Sequence, residues 1–196
     1  TASAASAGPV RIVTASELSA ALSAAGRRPL VLDARPSREF RAGRVPGSLR
    51  VDWRDFSESR PGFASYLFGD PAKWGLLAAD RTPLRDRLRA LGLSASRPVV
   101  VVGEPSGWGE EGRVAWMILN IGHPDVALLD GGLPAWRVEN PGQIEKGASR
   151  PPPPGDFEPA PQTDRRIRLD ALRSALAASE VTLLDARTAE EFAGKR

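Results

Sequence analysis

The chain alternates between two hydrophobic periods. Leu18, Ala21, Leu22 and Ala25 recur at helical spacing after Thr14 and Glu17, which have the Thr-x-x-Glu spacing of a capping box; Gly26 is placed to stop that helix. Leu30 to Asp33 reads as a short buried strand, Ser37 to Ala42 as a helical turn closed by Gly43, and Ser48 to Trp53 as a second strand after the Pro46-Gly47 turn. Thr82-Pro83 looks like the N-cap and first residue of a helix carrying Leu84, Leu88 and Leu91 on one face and ending at Gly92. The run Val99 to Val102 is apolar at every position, as a strand buried on both faces requires. Arg113 to Ile121 reads as a helix ending at Gly122, and Val126 to Leu129 as a strand broken by Gly131-Gly132. Strands separated by helices predict an α/β fold with a mainly parallel sheet flanked by helices. Ligands of such sheets bind beyond the carboxyl ends of the strands. Those ends are Asp33 to Arg35, Gly103 to Gly112 and Asp130 to Gly132.

Two stretches break the alternation. Trp53, Phe56, Phe63, Tyr66, Phe68 and Trp74 lie in or beside residues 54–79, which predicts an ordered, packed excursion rather than an aromatic ligand platform. From Asn140 to Arg165 the chain turns proline-rich, with four prolines at Pro151 to Pro154. Proline lacks the backbone donor and favours extended geometry, so this stretch reads as a stiff linker running over the surface without entering the sheet.

Beyond the linker the opening pattern returns. Leu32-Asp33-Ala34-Arg35 reappears as Leu184-Asp185-Ala186-Arg187, Glu39-Phe40 as Glu191-Phe192, and Arg44 as Arg196, all at one offset. Leu18 and Leu22 correspond to Leu172 and Leu176 after a two-residue shift, with Asp170 as the expected N-cap. A helix, a strand and a turn matching in order indicate a second copy of the same domain. The expected organisation is a first domain over 1–140, a linker over 141–165, and the opening of a second domain over 166–196, with Val181 to Leu184 as its strand. That last segment is below the size at which a chain buries enough surface to fold unaided, roughly 40 residues. It is therefore expected to order only against the remainder of its domain, a partner expected as a separate chain left by cleavage after Arg196.

Composition removes several chemistries. The 196 residues include no cysteine and one histidine, His123. Disulfides, thiolate metal sites, cysteine nucleophiles and a His-rich metal centre are thus outside the reach of these residues, and no cofactor site is expected. No run approaches the roughly 20 apolar residues of a membrane span. The net charge of +3 with dispersed arginines fits a solvated surface and not a nucleic-acid site. The small, polar Thr1 to Gly8 stretch suits a tail left by signal-peptide removal or by trimming of the chain, which slightly favours an exported or periplasmic protein over a cytoplasmic one.

Asp33-Ala34-Arg35 with Glu39-Phe40 and Gly43-Arg44-Val45-Pro46-Gly47-Ser48 resembles the rhodanese signature, with Arg44 where that family usually has His. The run Gly122-His123-Pro124 through Asp130-Gly131-Gly132-Leu133-Pro134-Ala135-Trp136 resembles the segment that closes a rhodanese domain and is the most specific match. Gly107-Trp108-Gly109 with Gly112-Arg113-Val114 looks like the first domain of two-domain members, and Asp185-Ala186-Arg187 to Gly194-Lys195 like the opening of their second. The resemblance implies a bacterial tandem-repeat sulfurtransferase. Its cysteine, in the second domain, takes a sulfane sulfur from thiosulfate, becomes a persulfide and passes the sulfur to a thiophilic acceptor; a small anionic sulfur donor is the implied ligand. Mercaptopyruvate-type members carry an Arg just before the aromatic of the second repeat; Glu191 stands there, which favours thiosulfate over 3-mercaptopyruvate. The competing reading is a non-catalytic rhodanese-like binding or regulatory module.

No residue of this chain is expected to be catalytic. The loop after Val102 carries Glu104, Glu110 and Glu111 instead of a cysteine, Ser106 has no plausible base, and Glu110 and Glu111 read as helix N-terminal charges. Candidates for substrate or interdomain contact are Arg187, Arg35 and Trp108. For Asp33, Arg35, Asp185 and Arg187 a structural ion pair or loop hydrogen bond is the favoured role, and His123 and Trp136 are expected to pack.

Overall fold

The computed structural model describes residues 10–57, 77, 81–160 and 165–195. The tail Thr1 to Gly8 and the aromatics Phe63, Tyr66, Phe68 and Trp74 lie outside these residues. The chain divides into two compact units, Thr1–Gln162 and Thr163–Arg196.

The first unit runs β1 (Arg11–Val13), α1 (Ala15–Ser23), β2 (Leu30–Asp33), α2 (Ser37–Ala42), β3 (Leu49–Arg50), a 3₁₀ turn (Trp53–Phe56), α3 (Arg81–Ala90), β4 (Val99–Val102), α4 (Glu110–Asn120), β5 (Val126–Leu129) and α5 (Gly132–Glu139). The five strands form one sheet in the order β1-β5-β4-β2-β3, and each pairing is parallel. Strand side chains alternate between faces. Leu30, Leu32, Val99 and Val101 therefore join one core with Leu84 and Leu88 of α3 and Val114, Met117 and Ile118 of α4. Val31, Val100 and Val102 join the other core with Ala15 and Leu18 of α1 and Leu133 and Trp136 of α5. The four valines of β4 are all buried, as a strand covered on both faces demands.

Several boundaries move from the sequence reading. The capping box at Thr14 and Glu17 forms, but α1 ends at Ser23 and not near Gly26, because Ala25 is exposed and gains nothing by continuing the helix. Ser48 to Trp53 is not one strand. Only Leu49–Arg50 pairs, and the Asp52 side chain accepts from the Arg54 N–H at 3.1 Å, turning the backbone into the 3₁₀ turn. Thr82 and Pro83 fall inside the first turn of α3, where a proline's missing donor is harmless. Helix α4 starts at Glu110, ahead of Arg113, with both glutamates in its first turn. Strand β1, three residues long, has no periodicity to betray it and is recruited by pairing Arg11 to Val13 with Ala127 to Leu129.

The proline-rich stretch adds no strand to the sheet among the described residues, but it is tied down by more than its sequence suggests. Phe157 is 1% exposed and belongs to the core with α3 and α4. The Gly155 N–H donates to the Arg89 carbonyl and the Phe157 N–H to the Leu93 carbonyl. A Cβ on Gly155 would lie 1.9 Å from the Leu93 carbonyl oxygen, so only glycine lets the strap approach. Arg44, fully buried and stacked on Phe40, donates to Glu145 and to the Gly147 and Ala148 carbonyls.

The second unit holds α6 (Leu169–Ala177) and α7 (Ala189–Phe192), and neither has a buried residue. Asp170 sits in the first turn of α6, and Arg168 takes the N-cap position. Val181 to Leu184 does not form a strand, since a strand needs a neighbour for its backbone hydrogen bonds and none pairs with it among the described residues. A second capping box, Thr188 with Glu191, starts α7.

His123 is buried between α4 and β5. Its Nδ1 accepts from the Asp125 N–H at 3.3 Å, so Nε2 carries the proton and donates to the Ser94 carbonyl at 3.1 Å. Burial depresses its pKa below the ordinary 6.5, partly opposed by the Ser94 carbonyl and the Asp125 carboxylate. The folded state therefore binds this proton less readily than the unfolded chain. The neutral ring's contribution is complete above 6.5 and is lost as pH falls from there through the depressed folded value. Urea midpoints of the wild type should drop between about pH 7 and pH 5 more steeply than those of H123N, which cannot titrate in that window. Parallel profiles would show that protonation of His123 is not linked to folding.

Candidate functional site

The carboxyl ends of β2 and β4 and the amino end of α5 meet, as the parallel topology requires. Between the ends of β2 and β4 and the amino end of α4 lies a cleft of about 260 Å³ lined by Ala34, Arg35, Pro36, Glu39, Gly103, Glu104, Ser106, Gly107, Trp108, Glu110 and Glu111. Two of the sequence candidates, Arg35 and Trp108, face it together; the third, Arg187, lies in the second unit.

Arg35 is committed to the fold. Its backbone N–H and Nε donate to Asp33 Oδ1 at 3.0 Å each, and Nη2 donates to Asp33 Oδ2 at 2.6 Å and to the Gly43 carbonyl at 2.9 Å. Both side chains are buried, at 4% and 0% exposure. A buried carboxylate without its guanidinium would be strongly destabilising, roughly 3–5 kcal/mol. The pair joins the end of β2 to the end of α2 and so sets one wall of the cleft. Arg187 repeats the arrangement on Asp185, with its guanidinium 58% exposed. The pair raises the Arg187 pKa and lowers that of Asp185.

The other wall is the loop from Gly103 to Gly112. The Gly107 N–H donates to the Glu104 carbonyl at 2.7 Å, and the Trp108 N–H donates to Glu110 Oε2 at 3.0 Å. The loop's own carboxylate thus occupies a backbone donor that could otherwise hold an anion. The Glu111 carboxylate folds against Gly103: a Cβ there would lie 2.3 Å from it, and its buried Oε2 has no hydrogen-bond partner among the described residues. Trp108 projects into solvent, 89% exposed. With Glu39, Glu104, Glu110 and Glu111 around it, the cleft disfavours an anion. Among the described residues no group of His, Cys, Asp and Glu is placed to hold a metal. Ser106 is exposed, and both nitrogens of His123 are engaged elsewhere.

The contact that sequence reasoning missed lies beneath this loop. The Leu133 N–H at the start of α5 donates to the Gly103 carbonyl at 3.1 Å, and a Cβ on Gly132 would lie 2.4 Å from that oxygen. Gly131 and Gly132 both have positive φ, 62° and 58°. The pair is needed because α5 begins against the backbone that starts the loop. The double glycine after a strand was the available signal, but the carbonyl it approaches is remote in sequence.

A model of the rhodanese-like domain matches residues 14–139. The thiosulfate sulfurtransferase of Corynebacterium glutamicum is 29% identical over 95% of the chain and 57% of its own length. The thiosulfate sulfurtransferase of Pseudomonas aeruginosa is 29% identical over 85% of the chain and 56% of its own length. The chain thus spans a little over half the length of these relatives. Among solved structures, SseA from Escherichia coli, described as a 3-mercaptopyruvate sulfotransferase, superposes with a TM-score of 0.73 at 21% identity, covering 94% of the chain and 68% of SseA. That likeness establishes the fold.

Replacing Gly132 by Ala should combine a left-handed backbone penalty of roughly 1–2 kcal/mol with overpacking of about 1–3 kcal/mol. We expect G132A to lower stability by about 3 kcal/mol in chemical denaturation. G103A should cost under about 1 kcal/mol, because only the flexible end of Glu111 must move. Equal losses at the two positions would contradict this account of the loop.

Proposed function

The chain belongs to the rhodanese-like domain family, and on that premise we propose that it is the non-catalytic first domain, with the opening of the second, of a sulfurtransferase using thiosulfate. One observation carries this reading. The second unit rebuilds the signature ion pair of the first atom for atom: the Arg187 N–H reaches Asp185 Oδ1 at 3.0 Å and Nη2 reaches Oδ2 at 2.6 Å, the same distances as in Arg35 and Asp33. Yet Leu184 is 85% and Phe192 68% exposed, where Leu32 and Phe40 are buried at 0% and 3%. Local contacts that form while the apolar side chains around them stay exposed are what this reading expects of a domain's opening segment.

In this reading the remainder of the second domain supplies that surface and the nucleophile. A cysteine thiolate attacks the outer sulfur of thiosulfate, the S–S bond breaks, and sulfite leaves with the bonding electrons. A thiophilic acceptor then attacks the outer sulfur of the persulfide and the thiolate is regenerated. The first domain's role is to present a rigid wall: Trp108 as an exposed apolar contact, and a cleft closed to the donor by its own glutamates. Glu191, held in the capping box of α7, stands where an arginine would grip the carboxylate of 3-mercaptopyruvate, which favours thiosulfate as donor. The absence of cysteine also favours a second reading, a binding or regulatory module without sulfur transfer.

The chain alone should give no thiocyanate from thiosulfate and cyanide. Mixed with the portion of the C. glutamicum enzyme that it does not match, it should restore turnover, and on this reading replacing a cysteine of that portion by serine should abolish it. Turnover by the cysteine-free chain would overturn the assignment; failure of every complementing portion would favour the binding module. By hydrogen exchange, amides of Val181 to Leu184 should be unprotected in the isolated chain while those of Val99 to Val102 approach global protection. Equal protection of the two segments would refute the need for a partner surface.

A further inference from the structure

The parallel sheet has two chemically different ends. Its carboxyl end carries the glutamate-lined cleft. At its amino end, between α1 and α5, lies a second cavity of about 460 Å³, within the size range of small-molecule sites. Arg28 and Pro29 enter it just before β2, Arg97 two residues before β4, and the Pro46-Gly47 turn before β3. Its apolar wall includes Leu22, Pro46 and the buried Trp136; Ser19 and Ser23 add hydroxyls.

The charge pattern is the informative feature. Arg28 and Arg97 are the charged residues in the lining, and among the described residues neither has a carboxylate partner. Arg97 is oriented all the same: Nε donates to the Arg28 carbonyl at 2.9 Å and Nη2 to the Pro29 carbonyl at 3.2 Å. Among the described residues its Nη1 edge meets no acceptor, so a fixed donor face remains for an incoming group. Partial burial without a counter-charge lowers the Arg97 pKa, and a bound anion would relieve that cost. Two opposing features are weak. The last turn of α1 lines the cavity and brings a partial negative charge of about half a unit. Glu145, which accepts from the Gly47 N–H at the rim, is neutralised by Arg44 at 2.6 Å.

We propose that this amino-end cavity binds a small organic anion, its carboxylate-type head held by Arg97 and Arg28 and its apolar body laid against Leu22, Pro46 and Trp136. The site is separate from the sulfur-transfer reading and stands whether or not that reading holds. A wall of side chains from α1, α5 and three strand entrances is preformed, so binding needs no rearrangement of the sheet.

Benzoate is a suitable probe, with neutral benzamide and inorganic sulfate as controls, followed by backbone NMR on the full chain. Benzoate should produce saturable shifts centred on Ser19, Ser23, Gly47 and Gln143, and should bind at least tenfold more tightly than benzamide or sulfate. R97Q should weaken binding at least tenfold. Because Arg97 also braces two carbonyls, R28Q and S23E serve as independent tests: among the described residues neither side chain has a hydrogen bond or ion pair, and each should weaken benzoate severalfold, R28Q without changing the thermal midpoint. The proposal fails if no saturable shift appears up to about 10 mM benzoate, a limit set by the weakest useful affinity. It also fails if benzamide or sulfate binds equally, if the shifts map to Gly103 to Gly112 instead, or if R28Q and S23E bind benzoate like the wild type.

Discussion

Strand β4 has nothing polar in its side chains, and the rest of the first unit is arranged to cover it. Val99 and Val101 face α3 and α4, while Val100 and Val102 face α1 and α5. Its neighbours β2 and β5 supply the ladder on both sides. Because all partners run parallel, each connection must cross from one end of the sheet to the other. Loops that end strands and loops that begin them are thereby segregated, and the two ends acquire different chemistry. Glutamates crowd the carboxyl end, and arginines with no carboxylate partner among the described residues stand at the amino end.

The rigidity of the carboxyl end comes from close backbone approaches. The start of α5 sits on the Gly103 carbonyl, and the Asp33–Arg35 pair reaches across to Gly43. These contacts fix where a loop can begin, independently of what the loop contains. In this chain the loop contains glutamates, and one of them takes the Trp108 N–H as an anion would.

The second unit makes the complementary point. Its Asp185–Arg187 pair and its capping box at Thr188 form through contacts within a few residues, so they need no core. Its strand residues cannot complete themselves, because a ladder requires a neighbour. Local order and exposed leucines coexist there for that reason.

The sequence alone was enough for whatever depends on neighbours along the chain. It determined the capping box at Thr14 and Glu17, the buried strands at Leu30 to Asp33 and Val99 to Val102, the repeat of Asp-Ala-Arg, and the lack of a thiol. It also pointed to the three loop segments that could bound a site, since strand ends follow from strand positions. Tertiary structure decided what depends on distant partners. Strand β1 exists only because β5 offers it an edge, and Phe157 turned a proline-rich linker into a strap because a core pocket was open to it. Gly132 is required by a carbonyl at Gly103, and the Glu111 carboxylate packs where a side chain on Gly103 would have to stand. Arg28 and Arg97 are ordinary surface arginines in the sequence. They come to line one cavity only because the entrances to β2 and β4 are adjacent in the sheet, and adjacency across a sheet is not written in any local pattern.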